Sequence, residues 1–139
     1  VGSDCPFFVL NRPVFAFGKG ELMETIDVSL RGYHVVLVKP DRGVATPEAY
    51  RGITPRAASF DLRELGKLPV EQWNGVVVND FEDSVIPTVT EIQEIKHTLR
   101  ELGAIYVSMT GSGSAVYGVF SHPVEVEKAF PEYFVWQGE

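Results

Sequence analysis

Apolar residues open the chain in two short runs, 7–10 and 13–17, separated by the polar pair Asn11 and Arg12 and followed by the punctuating glycines Gly18 and Gly20. That pattern predicts a meander of short strands. Residues 33–40, YHVVLVKP, carry a largely β-branched, apolar run at 35–38 and are stopped by Pro40, the signature of a strand buried on both faces. Further on, Thr46, Pro47 and Glu48 stand in the order of an N-cap, a first-turn proline and an acid at the positive end of a helix dipole, so a helix of about two turns is expected there. Residues 54–73 are less regular, with a short helix expected near 61–65.

The strongest periodicity lies in Val89, Ile92, Ile95, Leu99 and Leu102, three or four residues apart, with charged residues between them. A helix follows from that spacing. Thr88 with Glu91 has the form of a capping box, and Gly103 ends the run. Two strands are then expected at 104–109 and 115–120, a helix at 123–130 and a last strand at 133–137. Helices mixed with antiparallel hairpins give an α+β fold of two layers. No internal repeat or low-complexity stretch interrupts the pattern.

Composition narrows this picture. With 139 residues, 45% of them hydrophobic, the chain has the size of one ordinary domain. A formal charge of −7 opposes a broad nucleic-acid or anionic-membrane surface. Cys5 is the only cysteine, which excludes an internal disulfide and suits a reducing cytoplasm. The apolar runs are too short to cross a bilayer, and no charged-then-apolar leader opens the chain, so it reads as soluble. Its abrupt start suggests a piece of something longer.

Four small or hydroxylated residues and two glycines occupy 110–115, more than a hairpin turn requires. Such a turn can bring backbone N–H groups close to phosphate oxygens, or can simply satisfy tight packing. No lysine follows, so it is not a Walker A loop. Asp4, just before Pro6, reads as a turn-ordering residue, and Tyr50 as either a core aromatic or a stacking platform. His34, His97 and His122 lack metal-ligand spacing. Asp80, Glu82 and Asp83 read as a solvated turn, and Trp73 and Trp136 as packing residues.

Three motifs in this order change the balance: GSDCPFF at 2–8, KPDRGVATPEAY at 39–50 and MTGSGSAVYGVF at 109–120. Together they resemble the C-terminal half of the GHMP superfamily of small-molecule kinases, in the branch that phosphorylates a hydroxyl of a CDP-linked methylerythritol in isoprenoid synthesis. The resemblance implies a single GHMP C-terminal domain over 1–139, a ferredoxin-like sheet with helices on one face. It implies that Asp4 is the catalytic base, that Tyr50 stacks on the cytosine, that Thr46 belongs to the substrate loop, and that Gly111, Ser112, Gly113 and Ser114 support the phosphate loop. It further implies ATP and Mg2+ as cofactors of the whole enzyme.

The glycine- and serine-rich loop that holds ATP in that family, and the lysine beside its catalytic aspartate, have no counterpart in these residues. GKGE at 18–21 matches a family hairpin instead. The missing N-terminal domain is therefore an expected partner, and this piece alone is expected to be inactive. Two other readings stand beside this one: a non-catalytic ligand-binding α+β module, and another GHMP kinase acting on mevalonate, homoserine or a sugar. SDCPFF and the aromatic Tyr50 favour the cytidyl substrate.

Overall fold

A computed structural model describes residues 2–139. The chain divides into two compact units: one comprises the described residues through Ser29 together with Ala58–Pro69, and the other comprises Leu30–Ala57 and Val70–Glu139.

In the first unit, α1 spans Cys5–Leu10. The expected strand at 7–10 is thus corrected to helix. Pro6 sits in the first turn, where its fixed φ suits a helix and its missing N–H costs nothing. Asn11, in the left-handed region at φ 47°, ends the helix by donating its N–H to Phe7 O at 2.8 Å. β1 (Val14–Phe17) and β2 (Leu22–Thr25) form an antiparallel hairpin with Val14 opposite Thr25 and Phe17 opposite Leu22. A 3-10 helix at Leu62–Lys67 begins at Asp61, whose carboxylate accepts from Arg63 N. The Arg63 guanidinium lies 5.6 Å from the centre of the Phe15 ring, which ties this segment to the hairpin.

The second unit is built on four antiparallel strands: β3 (His34–Lys39), β4 (Tyr106–Met109), β5 (Val116–Phe120) and β6 (Phe134–Gly138), in spatial order β4-β5-β3-β6. This is the ferredoxin-like order, in which β5 separates β3 from β4 and a helical crossover joins those two. The crossover carries α2 (Thr46–Arg51), α3 (Phe81–Val85) and α4 (Glu91–Glu101). Ile92, Ile95 and Leu99 of α4 pack with Val36 and Val38 of β3, Met109 of β4, and Val116 and Phe120 of β5 in one buried cluster. The fold is α+β in two layers, as its periodicities require.

Helices cover one face of the sheet, so Val36 and Val38 are buried while Val35 and Leu37 remain half-buried. The expectation of a strand buried on both faces is corrected accordingly. The capping box at Thr88 does not form: the residue preceding α4 is Thr90, and Glu91 turns instead to Arg42. Gly103, at φ +104°, ends the segment as expected. Residues 123–130 form no helix; Val126 and Phe130 anchor the run in the core, and a single turn, closed by Ala129 N–H on Val126 O at 3.0 Å, stands where helical turns were expected. Trp73 is buried edge-on against Tyr106, whereas Trp136 is 50% exposed and is not a core residue.

Candidate functional site

Tyr50 occupies the outward side of α2. Ala45, extended at φ −64° and ψ 133°, precedes the helix, so Thr46 is its first residue and not its cap. The expected capping role of Thr46 is corrected; its hydroxyl lies 3.3 Å from Ser112 Oγ of the glycine turn. Ala49 is buried, and the next residue, Tyr50, is 62% exposed. A packing role in the core is thereby excluded for the ring. Its edge contact with Phe81, at 4.9 Å between centroids and 89° between planes, fixes its orientation. Ser84 Oγ donates to Ala49 O at 2.7 Å, and a Cβ at Gly52 would collide with the same hydroxyl. Helices α2 and α3 are therefore closely joined.

The glycine turn between β4 and β5 uses its two glycines differently. Gly111 has φ +56° with open space where a Cβ would stand, so it serves the backbone conformation. At Gly113, φ is +94° and a Cβ would lie 2.9 Å from Met109 Sδ and 3.3 Å from Val85 Cγ1. Close packing accounts for that residue. Buried Ser114 donates its hydroxyl to Arg42 O at 2.6 Å. Arg42 in turn donates twice to Glu91, from Nε and from Nη2, each at 2.9 Å. These bonds hold the Glu91 carboxyl below the usual carboxylate range and raise the Arg42 guanidinium above its own.

The turn is anchored on its other side by residues that carry no periodic or motif signal. Asn79 Nδ2 donates to Met109 O and to Gly111 O, both at 2.8 Å. Glu82 accepts from Met109 N at 2.8 Å through Oε1, and its Oε2 pairs with Lys96 Nζ at 2.6 Å. The reading of Asp80, Glu82 and Asp83 as a solvated turn is corrected for Glu82, whose side chain is only 18% exposed. Asp80 is engaged by Arg56 at 2.8 Å. The dense charge of the stretch NDFED conceals this difference, because sequence alone does not say which carboxylate faces a strand.

Asp4 lies in the first unit, at the N-cap position of α1. Its carboxylate makes no capping bond, and its main-chain oxygen accepts from Phe7 N at 3.1 Å. Across from it stands Gly20, at φ +92°, where a Cβ would come 3.5 Å from Ser3 Oγ and 4.0 Å from Asp4 Oδ1. Helix capping does not consume the acid. The structure thus brings Thr46 and Ser112 together, links Tyr50 and the glycine turn to a common segment at 79–84, and keeps Asp4 on its own unit.

These residues do not fit a triphosphate or a magnesium cage. Within the turn, Gly113 N–H is engaged by Thr110 O and Thr110 N–H by Ala115 O, and residues 109–120 contain no lysine or arginine. Among the described residues no group of three His, Cys, Asp or Glu side chains could hold a metal ion. His34 approaches Glu139 at 3.7 Å, His97 approaches Glu101 at 3.2 Å, and His122 contacts Ser121. No helix among the described residues is long and apolar enough to cross a membrane.

The family model described as GHMP kinases C terminal matches residues 55–135. The 4-diphosphocytidyl-2-C-methyl-D-erythritol kinase of Parabacteroides distasonis is 48% identical over 141 residues, covering 100% of this chain and 52% of that relative. The enzyme of the same name from Bacteroides fragilis is 44% identical over 140 residues, covering 100% of this chain and 51% of its own. A crystal structure of 4-(cytidine 5'-diphospho)-2C-methyl-D-erythritol kinase superposes with a TM-score of 0.75 at 28% identity, over 99% of this chain and 53% of that one. A homoserine kinase from Cytophaga hutchinsonii shares the fold at a TM-score of 0.51 and 15% identity. The chain spans about half the length of the curated relatives it matches.

Proposed function

The chain belongs to the GHMP kinase C-terminal family, and from that premise we propose that it is the substrate-side half of an ATP-dependent kinase whose acceptor is 4-diphosphocytidyl-2-C-methyl-D-erythritol. The observation that carries the reading is identity of 44–48% along the whole chain with relatives bearing that name. The solvent-facing ring of Tyr50 supports it, since a base can stack on such a ring.

In this reading residues 1–139 form one functional half, and ATP with its Mg2+ is held by the N-terminal half, which supplies the nucleotide loop. Tyr50 and Thr46 hold the substrate. Gly111, Ser112, Gly113 and Ser114 form the turn that supports the phosphate side. Asp4 receives the proton of the acceptor hydroxyl as that oxygen bonds to the γ-phosphorus and the bond to the leaving ADP breaks. Such a metabolic kinase works in the cytoplasm on a small molecule, without nucleic acid or membrane partners.

The test is phosphorylation by the full-length protein with ATP and either the CDP-linked substrate or homoserine, in the parent and in Asp4→Asn. The expected result is transfer to the CDP-linked alcohol alone, with kcat in Asp4→Asn reduced by about 100-fold or more. Transfer to homoserine in its place would overturn the substrate, and an undiminished Asp4→Asn would overturn the base.

A further inference from the structure

We infer that Asn79 is a positioning residue for the glycine turn, an assignment that rests on the kinase reading above. Its carboxamide makes three bonds: Nδ2 donates to Met109 O and to Gly111 O, each at 2.8 Å, and Oδ1 accepts from Phe81 N at 3.0 Å. An amide has two N–H donors, and here both reach carbonyls two residues apart. Only a backbone that bends at Thr110 can present both oxygens to one nitrogen. The side chain therefore dictates where the turn leaves the strand.

The place of Met109 explains why a side chain holds this role. β4 is an edge strand, and Met109 is its last residue before the turn. The next residue, Thr110, closes the ladder to Ala115, so the Met109 N–H and C=O face away from β5. Glu82 accepts from that N–H and Asn79 donates to that carbonyl. An otherwise open strand end is pinned by two residues of one short segment. Phe81, whose N–H is bound to Asn79 Oδ1, is also the residue whose ring meets Tyr50. One carboxamide thus ties the start of the base-stacking side to the entrance of the phosphate-side turn.

The two halves of the carboxamide can be separated experimentally. Asn79→Asp keeps an acceptor for Phe81 N but sets a carboxylate oxygen against two carbonyls, so a residue that merely starts α3 would tolerate it. In the full-length protein, Asn79→Asp is expected to lower kcat by about 10–100-fold, leave KM for the CDP-linked substrate within about threefold because Tyr50 is still held, and speed amide exchange at 111–114 relative to 116–120. Asn79→Ser, which lacks the reach to both carbonyls and adds no charge, is expected to do the same and decides the question if Asn79→Asp does not fold.

A kcat within about twofold of the parent, a loss carried wholly by KM, or unchanged exchange in the turn would overturn the assignment. Failure of the parent to phosphorylate the CDP-linked alcohol would count against the kinase reading instead. The exchange comparison needs no substrate and would then judge the turn by itself.

Discussion

Lys96 Nζ lies 2.6 Å from Glu82 Oε2, in an ion pair whose side chains are only 10% and 18% exposed. The other carboxylate oxygen holds Met109 N–H at 2.8 Å, so helix α4 reaches the edge of the sheet through a single acid. Removing one partner of a buried pair leaves the other desolvated and without its counter-charge. Lys96→Met is expected to destabilise the fold by about 3 kcal/mol. Lys96→Met with Glu82→Gln should recover part of that loss, as measured by urea unfolding. A single substitution costing no more than a surface change would refute the role given to the pair.

Tyr50 is predicted to carry much of the affinity for the base. Tyr50→Ala should weaken binding of CDP by about tenfold or more, the equivalent of 1–3 kcal/mol of stacking, while Tyr50→Phe should bind nearly as the parent does. Titration calorimetry on the full-length protein reads both. Equal affinities in parent and Tyr50→Ala would place the base elsewhere.

Stability should respond to acid through Glu91. Hydrogen bonding from Arg42 depresses the folded-state pKa of this carboxyl relative to an unfolded value of about 4.3. A group lowered on folding favours the folded state above its unfolded pKa, and that contribution disappears as pH falls through the folded one. The melting temperature of the parent should therefore exceed that of Glu91→Gln at neutral pH, and the gap should close in acid below both values. A gap that widens on acidification would contradict the ion pair.

The two glycines of the turn should differ when replaced. Gly111→Asn, at φ +56° with open space beside it, places a residue that tolerates the left-handed region and should be nearly neutral. Gly113→Ala meets both an unfavourable φ and Met109 Sδ, and should cost about 1–2 kcal/mol from the backbone alone. Thermal unfolding of the two variants makes the comparison, and equal losses would show that the packing against Met109 is not limiting.

Regular periodicity made much of the architecture legible. Ile92, Ile95 and Leu99 mark a helix face because their spacing repeats for about two turns, and 34–39 read as a strand because β-branched residues follow one another. Short apolar runs carry no such repeat. Residues 7–10 resemble a strand by composition, yet Pro6 in the first turn and the left-handed Asn11 at the end frame a helix there. At 123–130 the apolar residues fit a helix, but Val126 and Phe130 are bound individually by the core. Tyr50 and the glycine turn were visible as motifs, whereas Asn79 was not, since its significance lies in two main-chain oxygens that only the folded chain brings within reach.

The two tryptophans make the chain its own optical reporter. Trp73 is 5% exposed with its ring against Tyr106, and Trp136 is 50% exposed on the terminal strand. A water-borne quencher reaches the second and not the first, so emission that survives quenching arises beside β4, next to the strand that leads into the glycine turn. Without any attached dye, that residual light follows the packing at the start of β4, where Tyr106 begins the strand.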